Sequence, residues 1–318
     1  MAVSAPATDT RRVKSSSRPF KKVGQYWQLY ALLFLPLLYL AIFHYWPMLG
    51  AQIAFRDYTG VDGIWGSTWV GWKHFERFFN SYEFVRIMRN TLVLSVYGLV
   101  AGFPFPIMLA LGLNYVTRRW FKYSVQMVAY APHFISVVVL VGMILQFLAP
   151  NVGVINFARS ALGLEQISFM SKPELFPHIY VWSGIWQNVG FGCIIYLAAL
   201  ASVDPTLHEA AIIDGASKVQ RMWFIDIPDI MPLAVVLLIL SLGRILSTGF
   251  EKILLMQNPL NLRASEVIDT YVYSVGLEAA LPNYSYATAI GLFKGVIGMI
   301  LVIIVNNIAN RFGNRGLF

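Results

Sequence analysis

The sequence predicts an all-α membrane protein, a bundle of six transmembrane helices, and three observations carry that prediction. The 318 residues are 57% hydrophobic and 13% charged, whereas soluble domains carry about 25% charged residues. The mean hydropathy is +0.61. Apolar runs of about 20 residues, the length a helix needs to cross a bilayer, recur along the chain.

The elements follow in order. Residues 1–27 are a polar tail with Arg11, Arg12, Lys14, Arg18, Lys21 and Lys22. Such a cluster before a first span suits a cytoplasmic anchor beside anionic lipid. It also explains much of the net charge of +8 without nucleic acid. A first span is expected over 28–49, closed by Tyr45-Trp46-Pro47 as an aromatic interfacial belt. It is too long for the core of a signal peptide. Residues 50–88 read as an external loop in which TWVGWKHFERFF contains either an amphipathic helix at the interface or a loop packing on the mouth of the bundle. The second span, 91–116, contains Gly102, Pro104 and Pro106 and is expected to kink there. After the basic turn of Arg118, Arg119 and Lys122 come span three (124–148), an external loop (149–177) and span four (178–200). A polar loop at 204–232 precedes span five (233–250), an external segment (251–284) and span six (286–309). Residues 28–310 thus form one transmembrane domain, followed by a basic tail at 311–318.

Six spans put both termini on one side. Of the 24 Lys and Arg, thirteen fall in the segments then placed in the cytoplasm and nine in the longer external loops. That bias favours cytoplasmic termini and puts the 204–232 loop in the cytoplasm.

The 204–232 loop holds Asp204, Glu209, Asp214, Lys218, Arg221, Asp226 and Asp229. On insertion scales seven such charges would cost on the order of 20 kcal/mol at membrane depth, so the stretch should not cross. Asp204 before Pro205 reads as a helix start, with Thr206 and Glu209 as an alternative capping box. Ile212, Ala216, Val219 and Trp223 recur at helical spacing, and Asp214 and Lys218 are spaced to pair. Gly215 permits a sharp bend, and Pro228 and Pro232 are expected to close the element.

Glu209-Ala210-Ala211, then Gly215, Ile225 and Ile227-Pro228 at their spacing, resemble the EAA loop of permease subunits in binding-protein-dependent ABC importers. The family usually has leucine where Ile227 stands. The likeness extends to LPLLYLAIFHYWPMLGAQIAFRDY, WVGWKHFERFF and RNTLVLSVYGL, which resemble the start of carbohydrate-importing permeases of the oligosaccharide and polysaccharide subgroup. The resemblance implies the type I permease fold with a cytoplasmic coupling helix that docks into a cleft of an ATPase. Glu209, Ala210, Ala211, Asp214, Gly215, Ile225 and Pro228 would build that docking element. It also implies a second homologous permease, two ATPases that hold ATP and Mg, and an external solute-binding protein, with no cofactor in this chain.

The sequence has no GxxxxGK[ST] loop, so hydrolysis of ATP by that route is excluded and the chain is not expected to be an enzyme. Its five histidines are scattered and its one cysteine, Cys193, lies in an apolar run, so neither a metal site nor an intramolecular disulfide is expected. Polar groups at membrane depth mark pathways. Arg244 and Lys294 fall in spans five and six, and Gln187 and Asn188 lie in span four between Trp182, Trp186 and Tyr196, a set able to stack on sugar rings and bond hydroxyls. A cationic pathway residue would suit an acidic glycan such as alginate. Ala287, Gly291 and Gly295 form a stripe of small residues on span six, open to packing within the chain or against a second permease. The rival reading is a secondary transporter driven by an ion gradient. It needs paired titratable groups deep in the spans, where only Arg244 and Lys294 are found.

Overall fold

The computed structural model describes residues 26–313, with side chains as far as Asn307. Apart from Tyr26 and Trp27 the basic N-terminal tail lies outside the described residues, as does the C-terminal tail from Asn314 onward. Five helical stretches are long and apolar enough to cross a membrane: Trp27–Phe55, Tyr82–Asn114, Phe176–Leu200, Lys218–Gly243 and Tyr284–Asn307. A sixth is a broken pair, Arg119–Phe134 and Val137–Phe147, meeting at 100°.

The chain divides into two compact units, Met1–Gln52 and Ile53–Phe318. In the first, α1 (Trp27–Leu40) passes into a π turn, Ala41–Tyr45. No residue of α1 is buried, and Leu32 and Leu35 are exposed. A helix apolar all round is suited to lipid. Pro36 sits inside α1 without ending it, as happens in spans where freed carbonyls find other partners.

The second unit opens with a minimal hairpin, β1 (Arg56–Asp57) antiparallel to β2 (Thr68–Trp69). The expected amphipathic helix is present as α2 (Lys73–Phe79). Its apolar face is spent on the protein: Phe75 and Phe78 are buried against Ala289, Tyr286 and Ile290 of the last helix. Arg77 lies over the Tyr286 ring at 4.5 Å.

Span two starts nine residues earlier than expected, at Tyr82, because polar groups of its first turns find partners in the segment before the last helix. Arg86 pairs with Glu266, and Asn90 Nδ2 donates to the carbonyls of Arg263 (2.9 Å) and Glu266 (3.0 Å). The expected kink falls at Phe103, which separates α3 (Tyr82–Gly102) from α4 (Pro104–Asn114). Span three is not one helix. α5 (Arg119–Tyr130), a 3-10 turn (Ala131–Phe134) that contains Pro132, and α6 (Val137–Phe147) make it up, the bend falling at residues 135–136, where Ser136 Oγ recaps the chain by accepting from Val139 N. The loop that follows, between Phe147 and Phe176, holds α7 (Val154–Ala161). There buried Asn156 clamps the chain, donating to Ala149 O and Ile167 O and accepting from Ile167 N.

α8 (Phe176–Leu200) is the central rod. A Cβ at Gly190 would collide with the Ala129 carbonyl, so glycine is what lets α8 cross α5 backbone to backbone. Leu113 of α4, Cys193 and Tyr196 of α8, and Ile230 and Ala234 of the following span form one core. Inside a bilayer such a core is held by packing fit, since lipid tails are as apolar as the side chains.

After α9 (Pro205–Ile213) and α10 (Lys218–Arg221) the chain passes a π turn (Met222–Asp226) into α11 (Ile227–Gly243). Pro228 and Pro232 were expected to close the polar loop. Instead Pro228 occupies the first turn of α11 and Pro232 lies inside it. The widened turn just before Pro228 spares the clash its ring would make with the carbonyl four residues back. Arg244, expected within span five, is the residue that ends α11. The segment expected to be external is helical: α12 (Phe250–Met256), α13 (Leu262–Ser265) and α14 (Ile268–Tyr273) precede α15 (Tyr284–Gly313).

Candidate functional site

Two regions carry the candidate residues. The first is the polar loop. Asp204 caps α9, its Oδ1 accepting from Thr206 N at 2.9 Å, and that backbone N–H holds the carboxyl below its ordinary range. The alternative start at Thr206 and Glu209 is not used. α9 ends in a Schellman motif: Ala216 N donates to Ala211 O (2.8 Å) and Gly215 N to Ile212 O (3.1 Å). Gly215 is left-handed, with φ +80°. This break puts Asp214 and Lys218 on different helices, so the expected pairing is not made. A capping box starts α10, Gln220 N donating to Ser217 Oγ and Ser217 N to Gln220 Oε1. The Ser-x-x-Gln spacing was a readable signal for it. Glu209, Ala210 and Asp214 are exposed, Ala211 and Ile225 are half-buried, and Pro228 is exposed. Ile212 and Ile213 project apolar side chains from this polar element, Ile213 at 85% exposure.

The second region is a cavity of about 970 Å³ in the second unit. α3, α4 and α8 wall it, together with the break in span three and the segment after α11. Gln187 and Asn188 line it. Gln187 Nε2 donates to Ile135 O at 3.0 Å, satisfying a carbonyl freed by the break. Asn188 Oδ1 lies 3.0 Å from His133 Nδ1, and the His133 ring stacks on Phe191 at 4.0 Å.

Two cations face this cavity, Arg244 and Lys252. Lys252 is buried; its Nζ donates to Tyr180 O at 3.0 Å and sits 5.0 Å above the Tyr180 ring. Burial pushes its pKa down from 10.5 to about 8. The difference corresponds to ~3 kcal/mol of lost stabilisation of the ammonium. Among the described residues no Asp or Glu lines the cavity, and neither cation has an ion-pair partner.

The other expected pathway residues are elsewhere. Trp182 donates from Nε1 to Tyr97 Oη at 2.9 Å and packs edge-on to Phe105, outside the cavity lining. Trp186 is also outside it. Tyr196 lies in the core, at the wall of an adjoining 380 Å³ cavity that shares Arg244. Lys294 is paired with Asp269 at 2.5 Å and lines a separate 410 Å³ cavity with Gly291 and Gly295. The small-residue stripe is split: Ala287 packs against Gly276, whereas Cβ atoms at Gly291 and Gly295 would meet nothing within 4 Å. Tyr180 and His133 were missed as lining residues: Tyr180 sits on α8 among apolar neighbours, and His133 lies in a helix break that hydropathy reads as featureless.

Comparison with known proteins places these features. Residues 102–314 match the family model described as binding-protein-dependent transport system inner membrane component. The chain is 46% identical over 290 residues to protein LplB of Bacillus subtilis, covering 91% of each. It is 42% identical over 316 residues to the polygalacturonan/rhamnogalacturonan transport system permease protein YteP of the same organism, covering 99% of this chain and 98% of the relative. Two solved structures superpose with TM-scores of 0.87 at 40% identity. One is a bacterial ABC transporter involved in import of the acidic polysaccharide alginate, covering 93% of this chain and 100% of the other. The second, covering 95% and 100%, is a bacterial alginate ABC transporter in complex with an alginate pentasaccharide-bound periplasmic protein.

Proposed function

The chain belongs to the binding-protein-dependent transport system inner membrane components, and from that premise we propose that it imports an acidic oligosaccharide or polysaccharide fragment. It is a multi-pass permease subunit of an ABC importer of the carbohydrate type. Family membership sets aside the ion-gradient transporter, even though Lys294 and Asp269 form the kind of pair that reading lacked. A partner ATPase supplies the ATP chemistry, a second homologous permease completes the pathway, and an external binding protein delivers the solute. The termini and the 204–232 loop face the cytoplasm.

One observation carries the substrate class: a cavity of about 970 Å³ faced by Arg244 and Lys252 with no carboxylate among its described lining residues. Arg244 presents an exposed guanidinium to the cavity, and buried Lys252 needs an opposite charge. A uronate carboxylate supplies one, and Asn188, Gln187 and His133 supply bonds for hydroxyls. The names of the relatives point to the same chemistry.

α9 serves as the docking element. Its tight cap at each end makes a stiff unit, and exposed Ile212 and Ile213 give it an apolar surface to bury in an ATPase cleft. Glu209 adds a charge at the rim, and Ala210 and Ala211 allow close approach.

The test of the substrate class uses the reconstituted importer with its binding protein. Arg244→Gln lowers uptake of acidic glycans more than of neutral ones. Equal loss for both contradicts the reading.

A further inference from the structure

We infer that Asp226 is the joint through which the docking helix α9 moves α11, a positioning residue acting through His208 and Tyr115. The inference rests on α9 being the ATPase-docking element.

Asp226 is fully buried at 0% exposure, at the last position of the π turn before α11. Its Oδ2 accepts from Tyr115 Oη at 2.6 Å, from the residue that ends α4. Its Oδ1 lies 3.2 Å from His208 Nε2, on α9. That contact is within ion-pair reach but off the line of a hydrogen bond, so Oδ1 has no aligned donor. Arg221, from α10, lies over the Tyr115 ring at 5.7 Å, and its Nε has no hydrogen-bond partner. One carboxylate therefore gathers three elements: the end of α4, the docking helix and the start of α11.

The geometry has two consequences. A buried polar group interacts strongly with the few groups that reach it, so displacement of α9 is felt at Asp226 through His208. The second concerns the rod beyond. α11 runs unbroken for 17 residues to Gly243, and the next residue, Arg244, lines the cavity. The π turn, whose ladder already carries an extra residue, is the place where this rod can shift relative to the loop. None of the three contact residues belongs to the docking surface pattern of Glu209, Ala210, Ala211 and Gly215.

The experiment uses the full importer in proteoliposomes, with partner permease, ATPases and binding protein. Three variants are compared: Asp226→Asn, Tyr115→Phe and Asp226→Asn combined with His208→Gln. Solute taken up per ATP hydrolysed is the primary readout, beside ATPase co-purification and basal hydrolysis. Asp226→Asn and Tyr115→Phe keep the ATPase and the basal rate but lose at least about fivefold in solute per ATP, the lower end of ordinary coupling between sites. The double variant is no worse than Asp226→Asn alone, because the pair acts as one unit. Unchanged solute per ATP, or additive losses, overturns the inference. Loss of uptake only in proportion to lost complex makes Asp226 merely structural and also overturns it. Tyr115→Phe removes one hydroxyl and keeps the ring, so it decides the matter if Asp226→Asn does not assemble. Gly215→Asp separates the two readings. If it stays coupled, the docking role of α9 fails. If it uncouples while Asp226→Asn and Tyr115→Phe do not, only the joint fails.

Discussion

The uncompensated ammonium in the cavity makes affinity for an acidic solute depend on pH in a defined direction. Burial holds Lys252 at about 8 instead of 10.5. A carboxylate brought to the cavity favours the charged form and moves the value back up. Between those values binding takes up a proton. Affinity is therefore flat below about pH 8, where Lys252 is already charged, and falls as pH rises above it. At about pH 9 roughly nine-tenths of the lysine is neutral before binding, so the apparent KM for uptake rises about tenfold. The assay is initial uptake of a uronate oligosaccharide into proteoliposomes across pH 6 to 9.5, with ATP and binding protein saturating. Lys252→Arg, charged throughout, keeps the low-pH affinity and removes the rise. Lys252→Gln removes the rise by holding KM high at every pH. A tenfold rise that persists in Lys252→Arg would place the titrating group elsewhere and refute the argument.

Three further outcomes follow from geometry. Gly215→Asp strains a residue at φ +80° that caps α9. It costs about 1–2 kcal/mol locally, too little to unfold the bundle, and is expected to leave ATP hydrolysis running without uptake; coupled transport at the normal ratio would contradict this. Gly190→Ala drives a methyl into the Ala129 carbonyl where α8 crosses α5. About 1–3 kcal/mol of overpacking appears as a lower melting temperature and yield of the purified importer. Arg244→Gln shifts the ratio of acidic to neutral glycan uptake downward, read in the same proteoliposomes.

The fold was legible to the extent that it rests on apolar length. Spans four and six were placed almost to the residue because 178–200 and 286–309 contain no interior proline and no charge near their starts. Span two was cut short at its N-terminal end because Glu83, Arg86 and Arg89 read as loop. Arg86 is accommodated by Glu266, 180 residues away, and no local pattern reports such a partner. Span three was read as one rod because hydropathy ignores Pro132, although a proline with the Ser136 cap four residues on is a chemical signature of a break. The loop after span four was half legible. Asp204, Pro205 and Gly215 did what their chemistry requires, because caps and left-handed turns are decided within a few residues. Pro228 and Pro232 did not, because an upstream π turn absorbed the first and α11 ran through the second.

The same distinction applies to the candidate sites and explains why they looked separate. Gln187 and Asn188 could be picked out as polar groups on one apolar helix. The surroundings of Asp226 could not, since they depend on what other segments place beside it. Lys294 was read as a lone cation for the same reason, its counter-ion Asp269 lying in a segment taken for loop. Once these partners are known, the two regions become the two ends of one element. α11 begins at the residue after Asp226 and stops at the residue before Arg244. Its 17 residues span about 26 Å at 1.5 Å per residue, close to the thickness of the hydrocarbon core. On the proposed role of α9, a shift imposed near Asp226 is expected to reach Arg244 along this helix, and a solute held at Arg244 is expected to bias the loop in return, the reciprocity that linkage between two sites requires.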